Sequence, residues 1–390
     1  MTKHGLDVQL EIYARGMALD HGTYEWPITA DEWAARARER LPDGPWWYLE
    51  GGAGLESTMR ANREAFDRWR IRTRLLRDVE NRDLGVTLFG RALPAPFLLG
   101  PVGVQSILHP DAELASARAA AAFGVPFVLS TVSSVPLEQV AIAMGEAPRW
   151  FQLYPGRDPE IITSLIQRAE RAGYGALVVT VDTTMLGWRA HDLKNAYLPF
   201  LQGQGLANYL TDPVFRSRLS RAPEEDMAAA IQHFLAVYVN PGFTWEDLER
   251  IRAQTRLPLL VKGITHPEDV RHAFHLGADA VIVSNHGGRQ VDGGVAALDA
   301  LVEVREALGP DVTLLMDSGV RCAADVVKAL ALGARAVLFG RPYVYALAVG
   351  GEQGVRRFIQ HSLAELDLQM ALAGLRCVGE IDRSCVMAAR

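Results

Sequence analysis

The stretch "VTLLMDSGVRCAADVVKALALGARAVLFG", Val312–Gly340, sets two short apolar runs either side of an alanine-rich segment. The runs, "VTLLMDS" (312–318) and "RAVLFG" (335–340), are apolar along most of their length instead of alternating, as strands of a parallel sheet buried on its outer face are. Between them "CAADVVKALALGA" reads as a helix with an aspartate near its start and a glycine near its end. This is one strand, one crossover helix and the next strand. Six more runs of the same kind precede it: "PFLLGP" (96–101), "PFVLST" (126–131), "WFQLY" (150–154), "ALVVTVD" (176–182), "LPLLVKG" (257–263) and "DAVIVSN" (279–285). Helical patterns such as "DAELASARAAAAFG", "DPEIITSLIQRAERAG" and "TWEDLERIRAQT" lie between them. Eight strand–helix units are the count of a (β/α)8 TIM barrel, which takes roughly 250 residues plus insertions.

No composition shift or Pro/Ser-rich linker divides the series, and no short repeat or low-complexity tract interrupts it, so residues 1–390 read as one α/β domain. Residues 1–95 read as an N-terminal helical extension ending in a hairpin, "LGVTLFGRALP", that plugs the N-terminal face of the barrel. Residues 96–355 form the barrel and 356–390 a C-terminal helical segment. The connection from Asp182 to Thr244 is far too long for a simple βα loop. Residues 183–243 therefore read as a lid or wall at the C-terminal face.

Composition narrows the function classes. The chain has 390 residues, 49% hydrophobic, with a formal net charge of −6. A mildly acidic balance gives no general attraction for nucleic acid or an anionic membrane, so any anion site must be a local basic pocket. Cys322, Cys377 and Cys385 form no CxxC pair and no metal spacing. They read as reduced thiols of a cytoplasmic protein. The first residues lack the apolar core of a signal peptide, and no run reaches membrane-spanning length.

In such a barrel, catalytic side chains come from strand C-terminal ends, and phosphate binds after strands seven and eight. The seventh strand ends "DSGVR" and the eighth "FGRP", offering backbone N–H groups at Ser318, Gly319 and Val320, with Arg321, Gly340 and Arg341. That suits a phosphate at a helix N-terminus, although an ordinary turn with Asp317 as a cap gives the same text. Lys262 ends an apolar strand and faces the barrel mouth, as a Schiff-base nucleophile, a charge stabiliser for a bound ring or half of a salt bridge. Gln152, Tyr154 and Thr180 look like hydrogen-bonding support for a heteroaromatic ring. His286, in "SNHGGRQ", reads as a general base oriented by Asp182, a metal ligand or a loop histidine. No HxH or carboxylate–histidine set favours a metal. Arg189 and Arg289 could clamp a carboxylate, though either alone reads as a surface residue.

Together "SNHGGRQ", "TVDTTMLGWRAHD", "LLVKG", "FQLY" and "DSGVR…FGRP" closely resemble the FMN-dependent L-2-hydroxy acid oxidases and dehydrogenases, from about Tyr24 to the C-terminal helix. Within that family the segment "DLKNAYLPFLQGQGLANYLTDPVFRSRLSRAPEED", "PVGV" after strand one and "TWEDLERIR" are similar to lactate 2-monooxygenases. The resemblance implies that Pro101, Val102 and Gly103 line the flavin through backbone, with open space beside Gly103, and that Ser130, Gln152 and Thr180 hydrogen-bond its ring. Lys262 would stabilise the anionic reduced ring. Ser284, Asp317, Gly319, Arg321, Gly340 and Arg341 would hold the ribityl chain and phosphate. Tyr48, Tyr154, Arg189 and Arg289 would bind the substrate. His286, paired with Asp182, would take the hydroxyl proton as hydride passes to flavin N5. Ser318 stands where many members have glycine.

Four aromatics of the long connection, Tyr197, Phe200, Tyr209 and Phe215, are expected to close over the mouth. A lid that retains the 2-oxo acid would give acetate and carbon dioxide from L-lactate and O2. Early release would give the 2-oxo acid and peroxide, as in an oxidase. A Schiff-base aldolase using Lys262 is the alternative from another class. The resemblance also implies a homo-oligomer, a tetramer or octamer.

Overall fold

The computed structural model describes residues 5–18 and 24–389. Eight parallel strands close into a barrel: Phe97–Leu99, Phe127–Ser130, Arg149–Leu153, Leu177–Thr180, Leu259–Ile264, Ala280–Val283, Leu314–Met316 and Ala336–Phe339. Each falls within one of the eight apolar runs or within a residue of it. The eighth strand pairs with the first, Leu338 opposite Leu98, which removes any free edge.

Side-chain alternation along these strands sorts the core into two layers. Leu98, Val128, Trp150, Val178, Leu260, Ile282, Leu315 and Leu338 form one buried cluster inside the barrel. Val86, Leu88 and Leu93 of the antiparallel hairpin Val86–Leu88/Arg91–Leu93 belong to the same cluster, so the hairpin seals one end. The alternate residues, such as Phe97, Leu129, Phe151, Val179, Val283 and Phe339, pack outward against the helices.

After the eighth strand a helix runs Arg341–Ala373, broken at Gly350–Gly351, and packs against the helices Ala112–Phe123 and Ala30–Arg40. No described helix is long and apolar enough to cross a membrane.

Candidate active site

The inward stripe that is apolar inside the barrel turns polar two residues further on. Continuing the alternation from Val128, Trp150, Val178, Leu260, Ile282 and Leu315 leads to Ser130, Gln152, Thr180, Lys262, Ser284 and Asp317. The first five of these are at most 4% exposed. Ser130 Oγ donates to Gln152 Oε1 at 3.0 Å, and the Thr131 N–H reaches the same oxygen at 3.2 Å. Gln152 Nε2 and Thr180 Oγ1 are buried with no partner. Such atoms carry an uncompensated desolvation cost of about 1–3 kcal/mol each, which a polar ligand on this layer would offset.

Lys262 is the cation of the layer. Its ammonium lies 2.9 Å from Asp317 Oδ2 and donates to Ser284 Oγ at 2.9 Å. Burial alone would favour the neutral amine, but Asp317 and Asp182 outweigh it and hold the pKa above the ordinary lysine value.

His286 projects from the loop after the sixth strand, with Nδ1 2.8 Å from Asp182 Oδ1. Burial pushes the Asp182 carboxyl up, yet His286, Lys262 and the Thr183 hydroxyl more than reverse this, so it stays ionised. An ionised carboxylate only accepts, so Nδ1 carries the ring proton and Nε2 keeps a free lone pair. Tyr154 Oη is 3.5 Å from that Nε2. Burial is also the largest influence on His286, and together with Lys262 and Arg189 it overcomes Asp182 and lowers the imidazole pKa below 6.5. Gly263 makes the pair possible: at φ +105° it bends away, and a Cβ there would lie 2.5 Å from Asp182 Cγ.

Above this layer opens a cavity of about 1060 Å³ including its mouth. Pro101, Val102, Gly103, Tyr48, Tyr154, Arg189, Lys262, His286, Arg289, Asp317, Gly319, Arg321, Gly340 and Arg341 all line it. Ser130, Gln152, Thr180, Ser284 and Asp182 lie outside the lining, buried or half-buried at the strand ends beside it. The lining is strongly cationic. Arg289 and Arg321 have no ion-pair partner among the described residues. Burial, with Arg189 and Arg341 nearby, pushes the Arg289 pKa down to about 9, and burial lowers that of Arg321. Both are half-buried, and partly desolvated cations without a direct ion-pair partner are costly, so this cavity suits an anion. Tyr48 faces Arg189 and Arg289, and its ring lies under the Arg289 guanidinium at 5.5 Å.

Several expectations need adjustment. The Arg341 guanidinium donates to the carbonyls of Leu49, Gly51 and Gly287 at 3.1–3.2 Å, so it caps the end of the helix Asp43–Glu50 as well as lining the cavity. Arg289 Nη1 also donates to Gly51 O, at 2.6 Å. The helix after the seventh strand starts only at Ala323, whose N–H is taken by Glu365, while the Arg321 N–H is taken by Asp325. These two amides are therefore occupied, leaving the Arg321 side chain and the turn at Ser318–Val320. Gly103 does not leave open space: a Cβ there would lie 2.6 Å from Val132 Cγ2.

The long connection is a packed unit. Tyr197 sits edge-on to Tyr48, and Phe200 lines the cavity with Tyr238. Tyr209 and Phe215 instead pack with Phe234 and His233 in a buried aromatic cluster away from the cavity lining. Arg168 of the barrel helix Pro159–Arg171 anchors the cluster through Asp212 at 3.1 Å and Asn208 O at 2.7 Å. A deletion across 200–220 would remove core.

Sequence reasoning missed Thr183, whose hydroxyl bonds Asp182 at 3.0 Å, and Gln290, which ties Arg189 to the carbonyls of Asp182 and Met185. Both lie inside the quoted motifs, and their adjacency to Asp182 and Arg289 was the available signal.

The profile of the family described as FMN-dependent dehydrogenase matches residues 37–388. The chain is 44% identical over 353 residues to the FMN-dependent alpha-hydroxy acid dehydrogenase qulF of Penicillium citrinum, covering 90% of this chain and 88% of that one. It is 44% identical over 349 residues to an L-lactate oxidase of Lysinibacillus sphaericus, covering 90% of each. Among solved structures, mandelate oxidase with (S)-4-hydroxymandelic acid superposes with a TM-score of 0.83 at 38% identity, covering 93% of this chain and 99% of that one.

Proposed function

The chain belongs to the FMN-dependent dehydrogenase family and is an FMN-dependent oxidoreductase of 2-hydroxy acids; from that premise we propose that it oxidises a short L-2-hydroxy acid, L-lactate foremost, with O2, and that the outcome is that of a lactate 2-monooxygenase. The residues present fit FMN. Unpaired Gln152 Nε2 and Thr180 Oγ1 suit a polar ring, and the Arg321 cation without a carboxylate suits a phosphate. On this reading Pro101, Val102, Gly103 and Ser130 complete the ring site. Ser284, Asp317, Gly319, Gly340 and Arg341 hold the ribityl phosphate with Arg321. Bound FMN supplies an acceptor for the α-hydrogen and its electron pair, which O2 then regenerates.

The observation that carries the assignment is His286 at the cavity wall, with Nδ1 against the Asp182 carboxylate and Nε2 beside Tyr154. A carboxylate accepting from Nδ1 leaves Nε2 as the acceptor. Arg189 and Arg289, with Tyr48, hold the substrate carboxylate, which presents the hydroxyl to Nε2 and fixes the α-hydrogen in one orientation. Nε2 accepts the hydroxyl proton, and Asp182 stabilises the imidazolium that forms. Lys262 provides positive charge where negative charge accumulates. Held charged by Asp317 and Asp182, it is a poor amine nucleophile, which counts against a Schiff-base aldolase. A homo-oligomer and a cytoplasmic location complete the reading.

Phe200, Tyr238 and Leu186 over the cavity support retention of the 2-oxo acid and hence acetate, carbon dioxide and water as products. The likeness to an L-lactate oxidase supports the second reading, release of pyruvate and peroxide. Product analysis from L-lactate in air decides: acetate is expected, and stoichiometric pyruvate with hydrogen peroxide would establish the oxidase. Arg289→Lys tests the clamp, because lysine keeps charge but loses the planar fork. Binding of oxalate should weaken at least about tenfold, or about 1.4 kcal/mol, with little change for a neutral surrogate. Equal losses for both would assign Arg289 to holding Gly51 instead.

A further inference from the structure

The turn that carries His286 is left-handed, with φ 58° at His286 and 67° at Gly287. For a non-glycine residue this costs on the order of 1–3 kcal/mol and persists only where the surroundings enforce it. Two hydroxyls do so by accepting three successive amides. The His286 N–H donates to Ser284 Oγ at 3.0 Å. The Gly287 and Asn285 N–H groups both donate to Ser318 Oγ, at 2.9 and 3.3 Å. Ser318 sends its own proton to Asp317 Oδ1 at 2.9 Å, and Asp317 Oδ2 is the partner of Lys262. Ser318 is 7% exposed and itself adopts φ 73°, a conformation that glycine takes without steric cost. A serine here is therefore kept at some conformational expense, and its hydroxyl is what the position gains.

We propose that Ser318 is a positioning residue for the reaction: its hydroxyl holds the 285–287 turn so that His286 Nε2 faces the cavity, and it ties that turn to the Lys262–Asp317 pair. The inference rests on reading His286 as the base. Two variants of the FMN-loaded enzyme separate the hydroxyl from the backbone conformation. Ser318→Ala keeps the Cβ and its strain, whereas Ser318→Gly removes both.

In both, amide hydrogen exchange at Asn285 and Gly287 should quicken by about tenfold or more, since these two N–H groups lose their acceptor. In both, kcat for L-lactate should fall by about 10- to 100-fold, the scale of a misplaced catalytic group. KM should stay within about twofold, because the carboxylate clamp is untouched. Exchange at the wild-type rate in both variants overturns the proposal, as does quickened exchange with unchanged kcat. Wild-type kcat in the glycine variant alone would assign the effect to strain and overturn it too. Failure of the base assignment shows separately, as turnover that survives loss of the imidazole with Ser318 intact.

Discussion

His286→Gln is expected to give a folded, yellow protein whose anaerobic flavin reduction by L-lactate is about 10²- to 10⁴-fold slower, the share a positioned general base supplies. Glutamine is uncharged, as His286 is at rest, and its amide can still donate toward Asp182. What it lacks is a lone pair basic enough to take the hydroxyl proton. FMN absorbance and melting temperature should therefore stay close to wild type while the stopped-flow rate collapses. A variant that keeps more than about a tenth of the wild-type rate would show that the proton goes elsewhere.

The same imidazole sets the acid side of the pH profile. Burial, Lys262 and Arg189 lower its pKa below 6.5 against the pull of Asp182. The working form is neutral, so kcat/KM should rise with pH through that lowered pKa and level off by neutrality. His286→Gln should abolish this limb. A limb centred above 6.5 in the wild type would mean that Asp182 outweighs burial, and that the resting imidazole is charged.

The eight strands were legible because each is a local signal: an apolar run with a polar or glycine residue where it ends. The strand-end residues were legible for the same reason, since Ser130, Gln152, Thr180, Lys262 and Ser284 interrupt runs that are otherwise apolar. Contacts made across the chain were not. Arg341 meets the Leu49 carbonyl 292 residues away, and Asn62 pairs with Asn285 across 223 residues. Nothing in "FGRP" distinguishes a phosphate ligand from a helix cap. Tyr209 and Phe215 look like lid aromatics in the sequence, whereas their packing with Phe234 and His233 and the Arg168 contacts to Asp212 and Asn208 are made across the chain. Gly103 was misread because the direction of an absent side chain depends on backbone that sequence does not show. Ser318 was seen as a small residue, whereas its left-handed φ and its two amide donors made it informative.

Lys262→Met should be as damaging as loss of the base, by a different route. Methionine nearly matches lysine in volume, so the layer stays filled, but Asp317 loses its partner at 2.9 Å and Asp182 a nearby cation. Removing one member of a buried pair costs about 3–5 kcal/mol, so the melting temperature should drop. Substrate binding should change little, because the proposed carboxylate clamp of Arg189, Arg289 and Tyr48 does not include Lys262. With FMN held against the strand-end layer, its reduction would add negative charge near Lys262, the cation of that layer. The anaerobic reduction rate should therefore fall by about 10²- to 10³-fold, as when a preorganised charge-stabilising donor is removed. Affinity for sulfite, which also adds negative charge to bound flavin, should fall in parallel. Stopped-flow absorbance, sulfite titration and thermal melting of the same preparation separate these effects. A lower melting temperature with reduction and sulfite binding intact would leave Lys262 a structural counter-ion to Asp317, and the charge stabilisation would have to come from the arginines.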